Sequence, residues 1–130
     1  MKSTLEHINL TVRDSLATAE LLVQLFDWKI RWMGAAINGG FSVHVGDEES
    51  YLALYTPTTR VEEAGDSYSF SSGLNHLGIV VDDLQTAEDR IVAAGFKTHS
   101  HGDYEPGKRF YFYAPDQLEI EVVSYLSNSE

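Results

Sequence analysis

Two stretches of the chain alternate apolar and polar residues in the same way, and each carries a histidine in its third position. They read LEHINLTV at residues 5–12 and LNHLGIVVDD at residues 74–83. Such alternation is typical of strands with one buried face. The residues predicted to share the buried faces are Ile8, Leu10 and Val12 in the first stretch and Leu77, Ile79 and Val81 in the second. His7 and His76 then lie on the opposite faces.

The segments after these strands also match, so the chain reads as one unit written twice. Asp14 or Ser15 can cap a helix in the first copy, and Asp83 can cap one in the second. Gly95 suits the position just after the second helix. The predicted apolar stripes of the helices are Leu16, Ala19, Val23 and Phe26, and then Leu84, Ala87, Ile91 and Ala94.

Three further strands are predicted in each copy. They are centred on Trp28–Trp32, 41–46 and 50–56 in the first copy, and on 96–100, 108–113 and 118–125 in the second. This order predicts an α+β fold made of two tandem β-α-β-β-β units within one domain, residues 1–130. The first unit is predicted at 4–56, a polar linker at 57–73 and the second unit at 74–126.

Composition narrows the possible functions. The chain has 130 residues and no cysteine, which excludes disulfides and thiolate metal sites. Its formal net charge of −11 disfavours binding to nucleic acid or to anionic lipid. No apolar stretch is long enough to cross a membrane, and no apolar block resembles a signal peptide, so a cytoplasmic location is the default expectation.

The duplicated pattern resembles the vicinal-oxygen-chelate superfamily, which includes glyoxalase I, extradiol dioxygenases and bleomycin- and fosfomycin-resistance proteins. The motifs that carry the resemblance are Leu5-Glu-His-Ile-Asn, Leu74-Asn-His-Leu-Gly and Phe110-Tyr-Phe-Tyr-Ala-Pro-Asp-Gln-Leu-Glu-Ile-Glu121. The resemblance implies the glyoxalase/bleomycin-resistance/dioxygenase fold, in which the sheets form a curved groove. It also implies a homodimer, because related two-unit chains pair and share ligands between subunits.

The resemblance further implies a metal site built from the first and last strands of both units. Carried onto this chain, the ligand positions are His7, Ala53, His76 and Glu121. Alanine cannot bind a metal, so the four-ligand set of glyoxalase I is broken and three ligands remain. If the register of the last strand is shifted by two residues, Glu119 takes the place of Glu121 as the ligand.

Two histidines and one carboxylate can hold divalent Fe, Mn, Zn or Ni and leave positions open for a substrate that chelates through neighbouring oxygens. The sequence therefore favours a dioxygenase or a lyase/isomerase. The alternative for His7 and His76 is a hydrogen-bonding role in a metal-free groove. In that case the protein is a small-molecule binding protein, similar to bleomycin-resistance proteins, that sequesters a cationic aromatic compound.

Tyrosines supply the remaining candidate residues. Tyr111 lies ten residues before Glu121, a spacing similar to that of the tyrosine of extradiol dioxygenases, although it could equally be a core residue. Three other tyrosines and one alanine are expected to line the groove and contact a flat ligand: Tyr51, Ala53, Tyr55 and Tyr113.

Several polar residues remain open to more than one interpretation. His99 and His101 could act as acid–base residues, but a solvated loop is the favoured interpretation. Lys108 and Arg109 could bind an anionic group of a substrate, although basic residues are few in this region.

Overall fold

The computed structural model describes residues 1–63 and 65–125. It divides the chain into two compact units, Met1–Glu62 and Glu63–Glu130, and the division falls inside the predicted linker. Within the described residues, each unit contains one α-helix and one four-stranded sheet. This is the predicted α+β architecture of two β-α-β-β-β units. Position 126, the predicted end of the second unit, lies outside the described residues.

The first unit has the sheet order β1-β4-β3-β2. Strand β1 is parallel to β4, and the other neighbours are antiparallel. Its elements are β1 (His7–Thr11), α1 (Ser15–Phe26), β2 (Lys29–Ala35), β3 (Phe41–Gly46) and β4 (Tyr51–Thr56).

Helix α1 begins as predicted but buries a different face. The Asp14 side chain accepts a hydrogen bond from the backbone N–H of Ala17, which satisfies a donor of the first turn. The buried residues are Ser15, Thr18, Ala19, Leu22 and Leu25, so the predicted stripe was wrong except at Ala19. Apolar residues lie on most sides of this helix, and periodicity alone does not choose among them. Ser15 is held inward because its N–H donates to the hydroxyl of Thr56.

The second unit repeats the topology with the order β5-β8-β7-β6. Its elements are β5 (Leu77–Val80), α2 (Leu84–Ala93), β6 (Thr98–Tyr104), β7 (Gly107–Ala114) and β8 (Leu118–Ser124). The Asp83 side chain caps α2, and Gly95 follows its end with φ +97°, the left-handed conformation that glycine adopts at little cost. The core contains the fully buried residues Ile91, Phe110, Phe112, Ile120 and Val122.

Strand β6 is longer than the sequence indicated. It includes His99 and His101, so the interpretation of these two histidines as residues of a solvated loop was wrong. Pairing with β7 continues to Tyr104, across an irregularity between His99 and Gly102. The extra ladder explains the extension, because Asp103 and Tyr104 pair with Lys108 and Gly107 around a tight hairpin.

Strand register makes positions in the two units equivalent. Asn9 pairs with Ala53 in the first unit, and Gly78 pairs with Glu121 in the second. Asn9 and Gly78 each lie two residues after the first-strand histidine. Ala53 therefore occupies the position that Glu121 holds in the second unit. Among the described residues, no helix is long and apolar enough to cross a membrane.

Candidate functional site

The open face of the second sheet carries polar side chains because its strands alternate. On β7, Phe110 and Phe112 are fully buried. Arg109 and Tyr111 alternate with them along the strand and therefore lie on the opposite face. Ile120 and Val122 on β8 are likewise buried, which places Glu121 on the same face as Tyr111, its direct partner across the ladder. His76 immediately precedes β5, which pairs with β8.

Glu121 lies at the centre of this face and uses each carboxylate oxygen for a different partner. Its Oε1 is 3.1 Å from Nε2 of His76, and its Oε2 accepts from Nη1 of Arg109 at 2.8 Å. The side chains of Glu121 and Arg109 are only 13% and 12% exposed, against 31% for His76. The guanidinium of Arg109 therefore lies directly beside a carboxylate that is largely sheltered from solvent.

Tyr111 adds a proton donor beside this carboxylate. Its ring meets the ring of His76 edge-on, with centroids 5.7 Å apart. Burial, and then the negative charge of Glu121, raises the pKa of the Tyr111 hydroxyl. The hydroxyl consequently stays protonated at neutral pH and is able to donate a hydrogen bond to an oxygen of a bound molecule.

Glu119, the alternative carboxylate on β8, is already engaged. It is buried and accepts a hydrogen bond from the hydroxyl of Tyr68, which raises the pKa of Tyr68 to about 12. The charge of Glu119 also raises the pKa of Tyr113, its partner across the ladder. Tyr113 is half exposed and stacks on His99, with ring centroids 5.2 Å apart. The structure thus pairs His76 with Glu121 and leaves Glu119 to the tyrosines.

The open face of the first sheet carries a row of rings, one from each strand. Tyr51 stacks on His7 at 4.9 Å and on His44 at 4.7 Å between centroids, and His44 lies 5.0 Å from Trp32. The guanidinium of Arg31 lies over the Tyr51 ring at 4.5 Å. We call His7, Tyr51, His44 and Trp32 the aromatic row.

His7 sits at the end of the aromatic row and contacts an acidic neighbour. Its Nδ1 is 2.8 Å from Oε1 of Glu6, and this hydrogen bond is the main cause of a lowered pKa at Glu6. The His7 side chain is 44% exposed. Burial lowers the pKa of His44, which favours its neutral form within the row.

The other two predicted ligand-contacting residues of the first unit are Ala53 and Tyr55, and they differ in burial and in hydrogen bonding. Ala53 is buried between Asn9 on β1 and His44 on β3, so its methyl group forms the floor of this face. Tyr55 is part buried, and its hydroxyl donates to the backbone carbonyl of Ile37 at 2.9 Å. That hydroxyl is therefore committed to the loop between β2 and β3.

The donor atoms of the second unit fit part of a metal site. Two ligands bound to one ion at about 2.1 Å lie roughly 3 Å apart when adjacent, as Nε2 of His76 and Oε1 of Glu121 do at 3.1 Å. Arg109 holds the other oxygen of Glu121, as outer partners of ligating carboxylates do. Within the described part of either unit, however, no three His, Asp or Glu side chains converge on one point. In addition, Nδ1 of His76 is buried without an acceptor among the described residues, whereas metal-bound histidines usually have one there.

Sequence reasoning missed three residues of these faces. Arg109 was considered only as a group that could bind an anionic part of a substrate, and its burial against Glu121 follows from pairing between β7 and β8. Tyr68 was placed in a linker, and nothing local indicates that it contacts Glu119, 51 residues later. His44 was given no role in a site, although its alternation with the buried Val43 and Val45 already puts it on the open face.

Comparison with protein families gives a match over residues 4–122 to the model described as Glyoxalase/Bleomycin resistance protein/Dioxygenase superfamily. No curated protein matches the chain. Many solved structures match in fold. One is a glyoxylase/bleomycin resistance protein/dioxygenase domain from Frankia sp. EAN1pec, with TM-score 0.79 and 21% identity, covering 95% of this chain and 98% of the other.

Two other similar structures have named activities. The fosfomycin resistance protein FosX from Listeria monocytogenes, in complex with Mn(II) and 1S,2S-dihydroxypropylphosphonic acid, gives TM-score 0.72 at 18% identity, covering 99% of this chain and 97% of the other. Glyoxalase I from Zea mays gives TM-score 0.73 at 17% identity, covering 92% of this chain and 45% of the other. At these identities the likeness establishes the fold alone.

Proposed function

This chain belongs to the Glyoxalase/Bleomycin resistance protein/Dioxygenase superfamily, and we propose that it is a metal-dependent enzyme of the glyoxalase or dioxygenase type. Its substrate is a small molecule that chelates through two neighbouring oxygens. The observation that carries the proposal is the approach of His76 Nε2 to Glu121 Oε1 at 3.1 Å on an open sheet face. These two residues hold the positions that the sequence resemblance assigned to ligands.

In this proposal His7, His76 and Glu121 hold a divalent metal, Fe, Mn, Zn or Ni. The metal supplies a Lewis acid with open positions for the substrate oxygens. The family resemblance implies a homodimer, and in that assembly the first unit of a chain supplies His7. Arg109 keeps Oε2 of Glu121 occupied, so that Oε1 is the oxygen presented towards His76.

Tyr111 is the catalytic residue of the proposal. Because its pKa is raised, its hydroxyl is protonated and donates a hydrogen bond to an oxygen that gains negative charge. Tyr51, Ala53, Tyr55 and Tyr113 are proposed to contact the substrate. Of these, Tyr51 and Tyr113 offer ring surface, whereas Ala53 provides space and Tyr55 uses its hydroxyl for the chain itself.

Mn(II) in the FosX structure supports a divalent metal, since that protein shares the fold across nearly its whole length. The ligand set favours ring-cleaving dioxygenase chemistry slightly over lyase or isomerase chemistry, because two histidines and one carboxylate with open positions are typical of non-haem iron oxygenases. The metal that the protein contains decides between them.

A second function is favoured by two observations of its own. Arg109 already places a positive charge on Glu121, and the aromatic row with Arg31 offers a flat surface in the first unit. Both features suit a metal-free protein that binds and sequesters a planar compound. In that function His7 acts through its ring and not as a ligand.

Metal content distinguishes the two functions. Elemental mass spectrometry on untagged protein is expected to find about one divalent metal per chain, lost in His76→Ala and in Glu121→Gln. His101→Ala is the matched control, because His101 lies in the same unit but contacts Glu88 on α2. Iron directs the assay to ring cleavage, and nickel or zinc directs it to isomerase or lyase substrates. Absence of metal, with none retained after incubation with each ion, refutes the enzyme proposal.

A further inference from the structure

Arg109 is a largely buried cation, and two of its three guanidinium nitrogens have no hydrogen-bond acceptor among the described residues. Its side chain is 12% exposed, and Nη1 donates to Glu121. Its Nε and Nη2 are buried and find no acceptor among the described residues. These two nitrogens form one edge of the planar guanidinium, with two N–H bonds that point in parallel.

That edge has a defined chemical preference. Two parallel N–H donors match the two oxygens of a carboxylate, and they also match two oxygens of a phosphate or phosphonate. A buried charged donor without an acceptor is unfavourable, so a bound oxyanion would relieve a cost that the folded chain otherwise bears. The pair with Glu121 does not do this, because it uses a different nitrogen.

The other arginine near a candidate face is arranged differently. Nη1 of Arg31 donates to the backbone carbonyl of Asp47, and its guanidinium lies over the Tyr51 ring, yet none of its nitrogens is both buried and without a partner. Of the arginines in the described ranges 1–63 and 65–125, only Arg109 has nitrogens of that kind. The free edge is thus a feature of this position and not of exposed arginines in general.

A solvent-exposed tyrosine covers the guanidinium. The ring of Tyr104 lies 4.8 Å from the Arg109 guanidinium carbon, although Tyr104 is itself 60% exposed. The ring can take this position because residue 102 is glycine: a Cβ there would lie 2.5 Å from the ring edge. Tyr104 ends β6 and has solvent on its outer side, so its side chain can rotate away without disturbing the core.

We propose that the Nε–Nη2 edge of Arg109 binds a carboxylate of the substrate, with Tyr104 as its cover. The inference rests on the proposed function in one respect, since it places this carboxylate on the molecule whose neighbouring oxygens chelate. The substrate class is then a small chelating acid rather than a neutral chelator. Recognition must be local, because the net charge of −11 repels anions at long range.

A matched pair of probes tests the charge and the shape together. Benzoate and benzamide have nearly the same size, but only benzoate offers two anionic oxygens. Phenylphosphonate presents a tetrahedral oxyanion on the same ring. Each is titrated into the ¹⁵N-labelled full chain in the presence of a chelator, with the arginine Nε–H resonances observed by NMR. The Arg109 resonance is identified by its loss in Arg109→Lys.

The expected result is a saturable shift of the Arg109 Nε–H resonance with benzoate, at an affinity about tenfold or more above that for benzamide. Arg109→Lys keeps the charge beside Glu121 and loses the fork, so its benzoate affinity, followed by calorimetry, should fall about tenfold. A phenylphosphonate affinity well above that of benzoate would replace carboxylate by phosphonate as the ligand. No shift of the Arg109 resonance with either anion refutes the site.

Variants at the cover test the second half of the proposal without touching Arg109. Tyr104→Ala should raise benzoate affinity several-fold, because no ring has to move aside, whereas Tyr104→Phe keeps the ring and should match the wild type. Equal affinity in the two variants rules out a covering role. Because a chelator is present throughout, these outcomes do not depend on the metal content of the protein. Anion binding with no metal refutes the enzyme alone, and metal without anion binding refutes this inference alone.

Discussion

The ion pair between Arg109 and Glu121 should be worth far more to stability than any exposed pair in the chain, and replacing Glu121 by Gln tests this. Glutamine keeps the shape and one acceptor oxygen but removes the charge. Arg109 would then be a cation, 12% exposed, with a single neutral acceptor and two nitrogens that already lack partners. The substitution also leaves His76 without its anionic neighbour.

The expected cost follows from the burial of both partners. Breaking a fully buried pair by removing one charge costs roughly 3–5 kcal/mol. With side chains 13% and 12% exposed, residual solvation lowers this, and we expect about 3 kcal/mol. For a chain of this length that corresponds to a fall of about 10 °C in Tm. The matched control is Glu48→Gln, which breaks the pair of Glu48 with Lys29, whose side chains are 82% and 56% exposed. That substitution should leave stability almost unchanged, because both side chains are solvated.

Urea denaturation followed by circular dichroism, in buffer with a chelator, measures both variants against the wild type. The double variant Arg109→Met/Glu121→Leu should lose less free energy of unfolding than its two single variants lose in sum, because no unpaired charge remains. If Glu121→Gln costs no more than Glu48→Gln, the pair is solvated in solution and its burial does not govern its energy. A double variant with strictly additive costs would likewise refute the coupling.

Three further predictions concern the scaffold. Phe112→Ala should destabilise the protein by about 3–5 kcal/mol in urea denaturation, because the ring is fully buried, whereas Tyr113→Ala on the open face should cost much less. Asp14→Ala should cost about 1 kcal/mol through loss of the cap on α1, and Asp14→Ser should restore most of it. Burial alone would raise the pKa of Glu88, but hydrogen bonds from Thr98 and His101 outweigh it and lower that pKa. The ionised Glu88 therefore stabilises the fold at pH values above its unfolded pKa, and this contribution is lost as pH falls through its folded pKa. The difference in stability between wild type and Glu88→Gln should consequently narrow from pH 7 towards pH 3. A difference that stays constant over this range would contradict the prediction.

Local patterns in the chain were sufficient for the architecture. Strict alternation predicted β1 and β5 with their histidines on the open faces, and burial follows that alternation. Capping aspartates located the starts of both helices, since a side-chain acceptor next to an apolar run satisfies donors that the helix itself leaves free. Strand alternation and helix capping each depend on only a few neighbouring residues, so both can be read from the sequence alone.

The buried face of α1 and the extent of β6 needed the tertiary structure. α1 is apolar on most sides, so its contact with the sheet selects the buried face. Ser15 lies on that face, where its backbone N–H donates to the hydroxyl of Thr56. The predicted strand at 96–100 stopped before His101, and only pairing with β7 beyond an irregularity extends β6 to Tyr104. Neither outcome is written in the local periodicity.

At the candidate site the division follows the same physical line. The two-residue period of a strand placed His7 and His76 on the open faces, and the family resemblance pointed to Tyr111 and Glu121. The sequence did not determine that Glu121 divides its oxygens between His76 and Arg109, that Glu119 is engaged by Tyr68, or that Arg109 keeps two nitrogens free. Those contacts join residues 12 to 51 positions apart, and their partners are selected by strand register and burial. Only the folded sheet brings such side chains close enough for charge and hydrogen bonding to act.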